Sequence, residues 1–106
     1  MESKFSVTCE GGVAKIELCG RLDSTNAPAF EEELQKLIGQ SVSNLVFYAK
    51  DLEYMSSAGL RTIIFAKQKI GKEASVYLIG SQEAVQSVIK MSGLDTFMIL
   101  QDTYEE

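Results

Sequence analysis

The sequence contains no histidine, which removes the commonest catalytic sets. A Ser-His-Asp triad or a Cys-His pair is impossible within this chain because its general base is missing. The two cysteines, Cys9 and Cys19, are too few for a typical structural zinc site, which needs four ligands, and they lack ligand spacing. We therefore expect a protein that is not an enzyme and that holds neither a metal ion nor another cofactor.

Basic residues and long apolar segments are also scarce. The chain has 10 Lys and Arg against 15 Asp and Glu, a formal net charge of -5, whereas direct binding to nucleic acid or anionic lipid favours a basic surface. No apolar run approaches the roughly 18 to 20 residues of a membrane helix, and the N-terminal MESKFSVTCEGG has no apolar signal core. We expect a cytoplasmic protein that binds another protein and does not insert into a membrane.

Two alternating apolar runs flank Gly11-Gly12 and predict a β-hairpin with a two-residue turn. Pairing outward from that turn places Cys9 opposite Ala14 and puts the apolar residues on one face. Cys19 would then lie on the other face from Cys9, so we expect no disulfide between them. The apolar positions are Phe5, Val7 and Cys9 in the first run and Ala14, Ile16 and Leu18 in the second.

Helical and strand-like patterns then alternate along the chain, which predicts an α/β domain. We expect a single domain over residues 1–106, in which the hairpin leads into a mixed sheet with parallel strands and right-handed crossover helices. After the hairpin we predict a helix with the apolar face Ala27, Phe30, Leu34, Leu37 and Ile38, ended by Gly39, and then a strand at 45–48. A polar loop with Asp51 and Glu53 leads to a helix from about Ala58 that is ended by Gly71. A strand at 76–79, a helix closed by Gly93 and a last strand at 96–100 complete the predicted order.

The stretch YMSSAGLR, residues 54–61, joins a predicted strand to a predicted helix. Ser57 and Gly59 half-match the nucleophile elbow G-x-S-x-G, but Met55 replaces the first glycine and no base is available. One serine is expected to cap the helix. A serine here would also be exposed at the carboxyl end of a parallel strand, which is where sites form in open α/β sheets.

A phosphate on such a serine would change binding without changing the fold. The helix N-terminus favours an anion through its free N–H groups and its dipole. Inside a protein interface the same charge would be costly, because it must be desolvated and can meet like charges. The small residues Ala58 and Gly59 would let a partner approach the backbone closely.

Four segments of the chain are informative when taken together: Gly20-Arg21-Leu22-Asp23-Ser24, Leu45-Val46-Phe47-Tyr48, Met55-Ser56-Ser57-Ala58-Gly59-Leu60-Arg61, and Gly80 to Gly93 with Leu94. They resemble the STAS domain family, specifically the bacterial anti-sigma factor antagonist type. The resemblance implies a small regulator that binds, when unphosphorylated, an anti-sigma factor that is also a serine kinase, and so frees a sigma factor. The kinase then phosphorylates one loop serine and releases the antagonist, and a serine phosphatase of the metal-dependent type resets it.

By position, the resemblance places the phosphoacceptor on Ser57, which keeps the distance to Gly59-Leu60, and places the nearby acidic residue on Asp23. Many members of the family have aspartate where this chain has Ser56, so Ser56 is a minor candidate acceptor. They also often have serine where this chain has Ala58. The predicted partner-binding residues are Asp23, Ser24, Asn26, Ser56, Ser57, Ala58, Gly59 and Arg61.

A second hypothesis keeps the resemblance but drops the phosphate. The chain would then be a STAS interaction subunit of a lipid-transport or signalling assembly, and the start of the same helix would serve as a constant structural contact. Under this hypothesis a Ser57→Ala change would be neutral.

Overall fold

The computed structural model describes residues 4–70 and 74–104, and these residues form one sheet with helices against it. Its strands lie in chain order, β1 to β5; the first two are antiparallel and every other neighbouring pair is parallel. The predicted mixed α/β fold is therefore confirmed. The elements are β1 (Lys4–Glu10), β2 (Val13–Leu22), α1 (Ala27–Gln35), β3 (Asn44–Met55), α2 (Ser57–Lys69), β4 (Ser75–Ile79), α3 (Glu83–Ser92), a 3-10 turn (Leu94–Thr96) and β5 (Ile99–Gln101).

The N-terminal hairpin has the predicted register, with Cys9 opposite Ala14. Its turn residues Gly11 and Gly12 have φ of +60° and +83°. Two positive φ values in a two-residue loop fit the strand twist and suit glycine, which has no Cβ to clash. The Cys9 and Cys19 thiols are both free, as expected.

One face of the sheet carries the hydrophobic core and the helices. Alternate strand residues, such as Ile16 of β2 and Phe47 of β3, are buried in one cluster with Phe30 of α1, Ile63 of α2 and Ile89 of α3. Side chains alternate across a strand, so the residues between these positions point to the other face. The helices α1, α2 and α3 follow β2, β3 and β4 in the chain. Because these strands are parallel, the three helices begin at the same end of the sheet, where the carboxyl ends of the strands lie. None of these helices is long and apolar enough to cross a membrane.

Strand β3 is longer than the sequence predicted. It spans 12 residues, and the expected polar loop with Asp51 and Glu53 is its second half. Residues 51–55 pair with β2 alone, because the described pairing with β4 stops at Tyr48. The prediction was wrong because the pairing with β2 shifts register twice, and each shift places an extra residue in β3. These irregularities interrupt the alternation of buried and exposed residues that marks a strand.

Helix α1 ends earlier than expected, at Gln35. Over residues 36–38 the backbone hydrogen bonds change to i→i+3 spacing, which rotates the following side chains off the helical stripe. Ile38 is consequently half exposed instead of packed in the core, and Gly39, with φ of +93°, follows a turn and does not cap the helix. Gly93 caps α3 in the left-handed conformation as predicted, while the predicted end at Gly71 lies outside the described residues.

Candidate functional site

The ends of β2 and β3 bring the two predicted site segments together. Leu22 and Met55 form the last pair of the parallel ladder, and the Leu22 carbonyl accepts a hydrogen bond of 2.9 Å from the Ser56 N–H. The loop after β2 therefore lies beside the start of α2. A groove of about 230 Å³ runs between α1 and α2, and it is lined by Ser24, Ala27, Pro28, Glu31, Ala58, Arg61 and Thr62.

Ser56 is the N-cap of α2. Its backbone is extended, with φ of -90° and ψ of 176°, and its hydroxyl oxygen accepts a hydrogen bond of 3.4 Å from the Gly59 N–H. Its carbonyl accepts the first helical bond, from the Leu60 N–H at 2.9 Å. These are the features of a capping serine, and they assign the structural role at this junction to Ser56.

We expect Ser56→Ala and Ser57→Ala to differ in their effect on stability. Loss of an N-cap side chain costs about 0.5 to 2 kcal/mol, and the long bond here favours the lower half of that range. The exposed Ser57 forms no hydrogen bond through its hydroxyl within the described chain, so its replacement should stay within about 0.5 kcal/mol of wild type. Urea unfolding of both variants measures this difference, and equal losses would contradict the assignment of the cap.

Ser57 is the first residue of α2 and is exposed to solvent. The first turn of this 13-residue helix contains no acidic residue, so nothing in that turn repels an added negative charge. Unpaired N–H groups and the positive end of the helix dipole lie at the same place. The local electrostatics would therefore favour a phosphate on the Ser57 hydroxyl.

Gly59 has a different role from the one expected. It is buried, and a Cβ built there would lie 2.8 Å from both the Leu22 side chain and the Leu22 carbonyl oxygen. The space left by the missing side chain is therefore filled by this chain itself. The interpretation of Gly59 as room for a partner is wrong, because the close approach that glycine permits is between α2 and the end of β2.

The loop after β2 is held by hydrogen bonds among its own residues. The Asp23 carboxylate accepts from the hydroxyl and the N–H of Thr25, and Arg21 Nε lies 3.6 Å from Asp23 Oδ2. The Asn26 side chain accepts from the Asp23 N–H at 2.9 Å and donates to the Arg21 carbonyl at 2.7 Å. Asn26 thereby fixes the loop, and Ser24 is left exposed at its tip.

These contacts lower the pKa of Asp23 below its ordinary range. The Thr25 hydroxyl makes the largest contribution, followed by the Thr25 N–H and the weaker effect of Arg21, and partial burial opposes them. In the unfolded chain the Asp23 carboxyl titrates at about pH 4. These contacts therefore contribute fully to the free energy of unfolding above that pH, and their contribution is lost as the pH falls through the lower pKa of the folded state.

We therefore expect Asp23→Asn to make the free energy of unfolding less dependent on pH below about pH 4. Thr25→Ala should raise the pKa of Asp23 toward its ordinary value. NMR titration of the Asp23 carboxyl and denaturant unfolding at several acidic pH values measure both effects. A carboxyl in the wild-type protein that titrates at or above its ordinary value would contradict the expectation.

Arg21 and Tyr54 are surface residues of the site that the sequence did not identify. The Arg21 guanidinium lies over the Tyr54 ring, 4.3 Å from its centroid, and both side chains are exposed. The two residues are register partners in the β2–β3 ladder. The prediction missed this pair because it ended β3 near Tyr48, which left Tyr54 without a neighbouring strand.

An apolar cavity of about 420 Å³ lies toward the other end of α2 and contains none of the predicted site residues. Ile63, Ile64, Phe97 and Met98 are among its lining residues. Lys67 at its border donates a hydrogen bond of 2.8 Å to the Ala74 carbonyl. The candidate site is therefore the start of α2 with the loop after β2.

Comparison with known proteins identifies the family. The STAS domain family model matches residues 4–106. The chain is 25% identical over 101 residues to the anti-sigma-F factor antagonist RsfB of Mycobacterium tuberculosis, covering 94% of this chain and 83% of that protein. It resembles the crystal structure of an anti-sigma factor antagonist from Mycobacterium paratuberculosis, with a TM-score of 0.83 and 26% identity over 96% of this chain and 87% of the other. The phosphorylated form of the Bacillus cell fate determinant SpoIIAA shares the fold, with a TM-score of 0.72 and 19% identity over 92% of this chain and 90% of the other.

Proposed function

This chain belongs to the STAS domain family, and we propose that it is an anti-sigma factor antagonist whose binding surface is the start of α2 with the loop after β2. The observation that supports the proposal is that two adjacent serines have different structural roles. Ser56 caps the helix, while the Ser57 hydroxyl is exposed and forms no hydrogen bond with the described residues. Its relatives named as anti-sigma factor antagonists support the general role.

In the proposed cycle, the unphosphorylated protein acts in the cytoplasm and binds an anti-sigma factor, which thereby releases its sigma factor. The exposed residues Ser24, Ser57 and Arg61 and the partly buried Asp23 lie on the surfaces that would meet the partner. Ala58 lines the groove beside them. Arg21 stacked on Tyr54 would extend the surface, since arginine and tyrosine are enriched among residues that dominate binding energy.

The switch we propose is phosphorylation of Ser57 by the anti-sigma factor acting as a serine kinase. The Ser57 oxygen forms a bond to the γ-phosphorus of ATP, the bond to ADP breaks, and a base of the kinase receives the hydroxyl proton. This chain, which has no histidine, serves as the substrate and contributes no catalysis. A metal-dependent serine phosphatase would restore the hydroxyl.

A pull-down from the native host with and without ATP tests the role directly. We expect the wild-type protein to retain an anti-sigma factor without ATP and to lose it with ATP. Mass spectrometry should then find phosphate on Ser57, and none on the Ser57→Ala protein. Phosphate on neither Ser56 nor Ser57 after incubation with that partner and ATP would refute the switch.

The same pull-down separates this function from the second hypothesis. A STAS subunit of a transport or signalling assembly would copurify with its assembly regardless of ATP. Ser57→Ala would then leave the complex unchanged in amount. Retention of an anti-sigma factor that depends on the state of Ser57 favours the antagonist.

A further inference from the structure

Arg61 is exposed and lies one helical turn after Ser57 in α2. Arg61 lines the groove between α1 and α2, and the carboxylate of Glu31 lines the same groove from α1. Within residues 4–70 and 74–104, Arg61 forms no ion pair with any carboxylate. A long cationic side chain that is not paired with a carboxylate of the described residues is thus present one turn from the candidate acceptor.

We propose that Arg61 is the internal counter-ion of a phosphate on Ser57, and that the phosphate acts partly by withdrawing Arg61 from the partner. Residues four apart in a helix lie on one face, about 5–6 Å apart at Cβ. Long helical side chains also point back toward the N-terminus, over the residue four positions earlier. The Arg61 side chain can therefore reach a phosphate on Ser57, and its planar guanidinium group suits phosphate oxygens. This inference rests on the proposed function only for its regulatory meaning, because the contact itself depends on helix geometry.

The same geometry distinguishes the two serines. Ser57 and Arg61 are four residues apart, which is about 40° of rotation around the helix axis, whereas Ser56 is five residues away, at about 140°. Ser56 also lies outside the helix, with an extended backbone and its hydroxyl accepting from the Gly59 N–H. Arg61 is therefore placed to neutralise a phosphate on Ser57 and not one on Ser56.

The contact can be measured without a kinase by encoding phosphoserine at position 57 during translation. The ³¹P NMR titration of that phosphate reports its second ionisation, which a nearby cation makes more favourable. We expect Arg61→Gln to lower the second acid dissociation constant of the phosphate about two- to fivefold, the range for an exposed helical ion pair. Arg61→Lys should have a smaller effect.

Lys69→Gln is the matched control, because it removes the same charge from the same helix. Lys69 is exposed and lies 12 residues after Ser57, roughly 18 Å along the axis, beyond the screening length at physiological salt. We expect it to leave the phosphate titration unchanged, and we expect Arg61→Gln to leave a phosphoserine at position 56 unchanged. If Arg61→Gln and Lys69→Gln give the same titration at position 57, the counter-ion role is overturned.

Binding to the captured anti-sigma factor tests the regulatory half. Arg61→Gln should weaken binding of the unphosphorylated protein. Phosphoserine at position 57 should also weaken binding by a smaller factor in the Arg61→Gln protein than in the wild type. Equal factors in the wild-type and Arg61→Gln proteins would overturn the withdrawal of Arg61. If Arg61→Gln changes the phosphate titration as expected but phosphoserine at position 57 leaves the affinity unaltered in both proteins, the proposed switch fails while the counter-ion contact stands.

Discussion

Replacing Gly59 with alanine is expected to lower the free energy of unfolding by about 1 to 3 kcal/mol, the cost of overpacking a dense interior. The added Cβ would lie 2.8 Å from the Leu22 side chain and also 2.8 Å from the Leu22 carbonyl oxygen. A side chain can rotate away, but that carbonyl accepts the hydrogen bond from the Ser56 N–H and belongs to the last pair of the ladder. The clash therefore outweighs the roughly 1 kcal/mol by which a helix interior prefers alanine to glycine.

Denaturant unfolding measures this loss, and Ser57→Thr is the control, since it adds one methyl group at an exposed position of the same helix. The control should stay within about 0.5 kcal/mol of wild type. Leu22→Ala is destabilising alone, yet it should make the change at Gly59 cost less, because one of the two close contacts is removed. A Gly59→Ala protein as stable as wild type would show that α2 can move away from β2 without cost.

Gly59 also shows where prediction from sequence ends. A small residue at a strand-to-helix junction indicates that another group approaches the backbone closely. The residue type does not show what that group is or from which side it approaches. Whether that neighbour is a partner or the chain itself depends on where Leu22 is placed by the β2–β3 ladder. This is a long-range fact, and no local pattern contains it.

The hairpin was predictable residue by residue because two local signals agree there. Alternation with a period of two and a two-glycine turn leave one register, the one observed. The second half of β3 was not predictable in this way. Lys50 and Asp51 are both exposed, so the period of two is lost, and pairing with β2 alone leaves the sequence as polar as a loop.

The candidate serines were predictable in part. Their position at the start of a helix follows from local patterns, and the structure adds which of the two is the cap. The stacking of Arg21 on Tyr54 required the full length of β3 and could not be inferred without it. Local chemistry is thus visible in the sequence, whereas the surface that surrounds it is set by strand pairing.

Ser57→Asp is expected to weaken binding to the anti-sigma factor about thirtyfold or more, which corresponds to roughly 2 kcal/mol, without changing the fold. An uncompensated charge buried in an interface costs about 3 to 5 kcal/mol. The expected loss is smaller because the N-terminus of α2 offsets part of the aspartate charge. The fold should be unaffected, since Ser57 is exposed and a negative charge is favourable in the first turn of α2.

Isothermal titration calorimetry with the captured partner measures the affinity, and urea unfolding measures the stability of the same proteins. Ser87→Asp is the matched control, because it places the same charge at an exposed position of α3, away from the candidate site. The control should bind like wild type, whereas a general effect of net charge would weaken both variants equally. Unchanged affinity of the Ser57→Asp protein would mean that the start of α2 lies outside the interface, and with it the physical basis for a phosphate switch at this helix would be lost.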